Sequence, residues 1–173
     1  MPTDFSLSPL IAATAQWLTR AYPSGRGALE RSLAEVQSRQ AVTLAAWLRY
    51  PTELDVQLVA LTGPGGSDRL DWITGADAHT TGTGDPQEHA WRSWVDEVVA
   101  SWAACLLSVP SLAAAAAQAV SGTDHVGTLP VAFRRLTEPA SGDRQAAALL
   151  RHPDLLAPIA ELHREPLLTR LGA

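Results

Sequence analysis

The clearest pattern of apolar and polar positions along the chain lies between residues 85 and 109. Apolar side chains recur there every three or four residues, which is the spacing of a helix with one buried face. They are Trp91, Trp94, Val95, Val98, Val99, Trp102, Leu106 and Val109. Asp85 and Pro86 suit the cap and the first position of a helix, and Glu88 completes the spacing of a capping box. The pattern predicts a central core helix over residues 86–109.

Helical patterns also stand on both sides of this segment. Apolar positions at helical spacing, bounded by Pro or Gly, predict further helices over residues 8–21, 26–38, 112–120, 143–151 and 154–163, with a last turn at 167–171. The stretch over 122–137 shows no regular pattern beyond one or two helical turns near 130–136. The chain is therefore expected to be mainly helical.

Residues 41–74 allow two interpretations. The runs 53–61 and 69–73 alternate apolar and polar side chains as half-buried strands do, and the Gly-rich residues 62–68 between them suit a hairpin turn. Residues 41–49 then supply a third strand, because two strands alone are marginally stable. We expect an α+β, mainly helical fold in which a small antiparallel β-meander, about residues 41–74, packs against the central helix. The alternative is an all-α bundle.

Composition narrows the class of protein. The chain has 173 residues, which suits a single globular domain over 1–173. A formal net charge of −5 argues against non-specific binding of nucleic acid, and no apolar run reaches the roughly 18 residues that a membrane span needs. The sequence contains no lysine, which excludes Schiff-base and P-loop lysine chemistry.

Two further features concern the setting of the protein. The lone Cys105 lies among Ala and Leu, so we expect it to be a core residue rather than a nucleophile. The first residues are acidic where a secretion signal would be basic, and we expect a cytoplasmic protein. The abundance of Ala, Arg, Gly and Pro is typical of a GC-rich, bacterial-type genome.

The most interesting polar cluster lies where the loop over residues 75–85 meets the predicted core helix. His79, Asp85 and His89 are the candidate catalytic residues there, because imidazole and carboxylate groups serve acid–base chemistry. Their spacing matches no known metal-binding motif, so we predict neither a metal nor a cofactor. A capped helix start with a solvated histidine is the simpler explanation of the same residues.

Two other groups could bind a ligand. Trp91 and Trp94 could line a pocket for a flat apolar molecule, although aromatic residues at helical spacing usually belong to a core. Arg134 and Arg135 could grip a carboxylate or phosphate group. Neither pair is specific enough to identify a substrate.

The sequence therefore leaves two hypotheses for function. The first is a non-catalytic accessory or protein-interaction domain, because helical packing signals are plentiful and catalytic motifs are absent. It would bind a protein partner or itself through the edge of the predicted sheet or the leucine-rich tail. The alternative is a small-molecule-binding protein or enzyme with a site where loop 75–85 meets helix 86–109. Neither hypothesis includes a nucleic acid or a membrane as partner.

Overall fold

A computed structural model of the chain describes residues 6–25, 27–76, 91–127 and 132–173. Of these residues 74% are helical, and none of them lies in a β-strand. The predicted β-meander over residues 41–74 is therefore wrong, and the alternative, an all-helical bundle, is the architecture observed. Among the described helices, none has both the length and the apolar character that crossing a bilayer requires.

Ten α-helices and two 3₁₀ turns account for all but one of the helical residues in the described ranges. The α-helices are α1 Ser8–Ala21, α2 Ala28–Arg49, α3 Glu53–Thr62, α4 Asp68–Thr74, α5 Glu97–Ser108, α6 Pro110–Val120, α7 Arg134–Thr137, α8 Ser141–Ala146, α9 Pro153–Ala160 and α10 Arg164–Leu171. The 3₁₀ turns are Trp91–Trp94 and Asp124–Gly127.

The segment predicted as strands is helical because its boundaries are helix caps. Thr52 forms a capping box with Asp55: the Thr52 hydroxyl accepts a hydrogen bond from the Asp55 amide at 3.3 Å, and the Asp55 carboxylate accepts one from the Thr52 amide at 3.2 Å. Gly63 and Gly75, at φ of +73° and +71°, end α3 and α4 with left-handed backbone that suits glycine. Gly63, one of the glycines that suggested a hairpin, is therefore a helix terminator.

The central core helix is shorter than the pattern predicts. Residues 91–94 form a 3₁₀ turn, and α5 begins only at Glu97. Asp96 caps it, because its Oδ1 accepts hydrogen bonds from the amides of Val98 at 2.8 Å and Val99 at 3.3 Å. The predicted cap at Asp85 lies outside the described residues.

The core lies around α2 and α5, which are in more extensive contact than any other two described elements. Helix α1 covers one side of α2, α9 packs on α5, and α6, α7 and α8 each contact α2. Leu44 of α2 and Leu106 of α5 are fully buried at this centre. By contrast, α3 buries only Val56 and Val59, so most of its surface faces outward.

Candidate functional site

The predicted catalytic residues cannot be placed: His79, Asp85 and His89 all lie outside the described residues. The predicted aromatic pair is only partly placed. Trp94 ends the 3₁₀ turn and is 41% exposed, whereas the side chain of Trp91 is outside what the structure describes. A catalytic or ligand site at this point of the chain stays a prediction.

A buried carboxylate lies beside that 3₁₀ turn. Asp71 of α4 is 3% exposed and accepts a hydrogen bond from Nε1 of Trp17 at 2.9 Å. Its second oxygen lies 3.0 Å from the Arg92 guanidinium. Both carboxylate oxygens are thus engaged, and the contacts join α1, α4 and the turn at residues 91–94. The arrangement suits the joining of these elements, since neither oxygen faces solvent.

The predicted arginine pair opens α7. Arg135 forms an ion pair with Asp143 at 2.6 Å, and the other carboxylate oxygen of Asp143 accepts a hydrogen bond from the Ala140 amide at 3.0 Å. Arg134 lies exposed on α7. Binding of one anion by both guanidinium groups stays a prediction.

Arg151 joins several parts of the chain through hydrogen bonds. Its guanidinium donates hydrogen bonds to Oε1 of Gln37, to the Leu107 carbonyl at 3.2 Å and to the Arg135 carbonyl at 2.6 Å. Burial lowers the pKa of Arg151 to about 10, although the nearby Asp143 carboxylate acts in the opposite direction. The three acceptors come from three different parts of the chain, so this side chain ties α2 and α5 to the segment around α7.

Two of the histidines also take part in contacts within the fold. The His163 ring donates to Oε1 of Glu97 at 2.7 Å, and Arg69 lies 3.2 Å from the same oxygen. The His125 ring donates to the Tyr50 carbonyl at 2.6 Å and stacks on Trp47. Among the described residues, no group of three or more His, Cys, Asp or Glu side chains is arranged to hold a metal ion.

Cys105 lies in the core, as the sequence predicts. Its side chain is fully buried and its thiol donates a hydrogen bond to the Ala160 carbonyl at 3.3 Å. Burial raises the pKa of the Cys105 thiol to about 11. Since the thiolate is the reactive form, this cysteine is a poor nucleophile near neutral pH.

The most unusual surface is on α3. Leu54, Leu58 and Leu61 are 66%, 51% and 80% exposed. A helix turns about 100° per residue, so these three side chains fall within an arc of about 60° and point away from the buried Val56 and Val59. We call Leu54, Leu58 and Leu61 the leucine face. It spans about 10 Å along the helix, or two turns.

A second apolar surface lies near the tail. Leu149 and Leu155 are 46% and 44% exposed and border a half-open groove of about 310 Å³ that Tyr22 and Ile73 also line. The Tyr22 hydroxyl donates a hydrogen bond to the Leu155 carbonyl at 3.1 Å, which fixes one wall of the groove. The leucine-rich tail that the sequence suggested as a binding surface supplies only part of this lining, through Leu149, Leu155 and Pro158.

The leucine face is hidden in the sequence when residues 53–61 are assigned to a strand. In that strand Leu54, Val56 and Leu58 would share one buried side. The signal that identifies the helix is the Thr52-to-Asp55 capping-box spacing, which places Leu54 and Leu58 four residues apart on one face instead.

Comparison with known proteins finds no match. No family model, no curated protein and no solved structure matches this chain.

Proposed function

We propose that this chain is a non-catalytic protein-interaction domain whose binding surface is the leucine face of α3. The observation that carries the proposal is the exposure of Leu54, Leu58 and Leu61 on one side of a single helix. Scattered exposed apolar residues are normal on protein surfaces, but an apolar stripe at helical spacing is the usual form of a surface that binds another helix. The proposed partner is a protein rather than a small molecule, because the face is convex.

The free energy available from burying the leucine face favours a contact of moderate strength. The exposed fractions of the three leucines amount to about two fully exposed leucines, whose burial contributes roughly 3 to 6 kcal/mol. Association itself costs an estimated 4 to 15 kcal/mol or more. The leucine face therefore supplies a central anchor, and the partner must add contacts around it.

The test compares one substitution on the face with the same substitution elsewhere. Leu58→Gln removes the central leucine and keeps a residue of similar helix propensity. Leu29→Gln is the matched control, because Leu29 is 72% exposed on α2. Burying the new amide without a partner, together with the lost apolar burial, should weaken binding by about 2 kcal/mol, or roughly thirtyfold.

Proteins retained from native extract by the wild type and both variants are then quantified. The proposal expects one protein that the wild type and Leu29→Gln retain and Leu58→Gln loses, while the melting temperatures of all three chains agree. Identical sets of retained proteins for all three chains would contradict it, as would the absence of any retained protein.

A further inference from the structure

The charged side chains of α3 beside the leucine face, Glu53 and Asp55, are both acidic. Glu53 is exposed in the first turn of α3, and Asp55 is half-buried one residue after Leu54. Between residues 50 and 67 the sequence contains no lysine or arginine. The charge beside the face is therefore negative along its N-terminal half.

The cations on either side of this stretch have other contacts. The Arg49 guanidinium lies over the ring of Tyr50, 5.6 Å from its centroid. Arg69 lies 3.2 Å from the carboxylate of Glu97. Neither of these contacts is with Glu53 or Asp55, and no ion pair between described residues involves either carboxylate.

The size of the face limits what can cover it. Stable symmetric dimers bury about 800 Å² on each protomer, which is well beyond three partly exposed leucines on two helical turns. If the two helices were parallel, a second copy would also bring the carboxylates of Glu53 and Asp55 from both copies close together. A short segment whose own apolar stripe spans two turns matches the face in length, and its flanking side chains add the contacts around the leucines.

We infer that the leucine face binds a short amphipathic helix that carries lysine or arginine beside its apolar stripe, an inference that rests on the proposed function. Opposite charges at the rim of an apolar contact select the partner and speed association. An anionic membrane surface is the wrong occupant, since helices that lie on such membranes carry cations beside their apolar face. Helix α3 carries carboxylates instead.

The test uses three synthetic helical peptides, each of about four turns. The first has leucines at helical spacing flanked by lysines, the second has glutamates in place of the lysines, and the third keeps the lysines but scrambles the leucines. Binding to the full chain is measured by fluorescence anisotropy at low and high salt. The same titrations are run on Leu58→Gln, on Glu53→Gln and on the control Leu29→Gln.

We expect the lysine peptide to bind at least about tenfold more tightly than either other peptide, with a preference that shrinks in high salt and in Glu53→Gln. Leu58→Gln should weaken the lysine peptide at least about tenfold, and Leu29→Gln should not. Equal binding of the lysine and glutamate peptides, or binding of neither, would overturn the inference. So would sedimentation of the wild type as a dimer that Leu58→Gln dissociates, or sedimentation with vesicles of anionic phospholipid.

Failure of the inference about a basic helix can be told apart from failure of the proposed function. If native extract yields a partner that depends on Leu58 while the peptides do not discriminate, the surface is an interaction site with a different kind of partner. If no native partner depends on Leu58, the proposed function itself is wrong.

Discussion

Removing the carboxylate of Asp71 should weaken the fold more than any ordinary surface change. Asp71 is 3% exposed, and its two oxygens hold the Trp17 indole at 2.9 Å and the Arg92 guanidinium at 3.0 Å. Asp71→Ala leaves the indole N–H of Trp17, itself 1% exposed, without an acceptor. It also removes the ion pair between this carboxylate and the Arg92 side chain, which is 23% exposed.

The cost follows from these two losses. An orphaned buried donor costs about 1 to 3 kcal/mol, and removing one partner of a buried ion pair costs about 3 to 5 kcal/mol, less here because Arg92 is partly solvated. We expect Asp71→Ala to lower the free energy of unfolding by about 3 to 4 kcal/mol. Asp71→Asn keeps an acceptor for the indole and should cost about half as much, since it loses only the ionic part.

Urea denaturation followed by circular dichroism measures these differences. With a slope of about 2 kcal/mol per molar urea, Asp71→Ala should lower the midpoint by roughly 1.5 to 2 M. Asp68→Ala is the control, because Asp68 lies exposed in the first turn of the same helix and should cost less than about 1 kcal/mol. A loss of under about 1 kcal/mol for Asp71→Ala would refute the reasoning, as would equal losses for Asp71→Ala and Asp68→Ala.

Two further predictions concern the buried polar contacts. Arg151→Met should destabilise the fold by about 1 to 3 kcal/mol, because Gln37 loses its hydrogen-bond donor. The control Arg144→Met, on the exposed side of α8, should change thermal stability by under about 0.5 kcal/mol. Similar losses of stability in the two variants would contradict this account. The raised pKa of Cys105 means that the fold favours the protonated thiol, so stability should fall as pH rises from 9.0 towards about 11. Urea titrations should show a shallower alkaline decline for Cys105→Ala, and parallel declines would show that the thiol does not titrate with folding.

Local signals predicted part of the helical architecture well. The predicted helix over residues 8–21 is confirmed as α1, and the alanine-rich helix is confirmed within α6, since Ser8-Pro9 and Pro110 mark helix starts by backbone chemistry alone. The predicted helix over 26–38 is too short, because α2 continues to Arg49. Its continuation is buried on several sides, which removes the polar positions that would reveal a helical period.

The contacts between distant residues could not be predicted in the same way. Gln37 and Arg151 are 114 residues apart, and Trp17 and Asp71 are 54 apart, so their hydrogen bonds exist only once the helices have packed. The exposure of the leucine face likewise depends on how the helices pack. The helical period places Leu58 opposite Val56, but only tertiary packing decides which of the two sides is covered.

The measurement that tests the leucine face most directly is methyl NMR of the chain labelled at leucine, with and without the protein that the wild type retains from native extract. The interaction account predicts that the methyl signals of Leu54, Leu58 and Leu61 shift or broaden on binding, while those of Leu29 and Leu149, which are also exposed, stay in place. Unchanged signals from the three residues of the leucine face, with shifts at Leu29 or Leu149 instead, would contradict it.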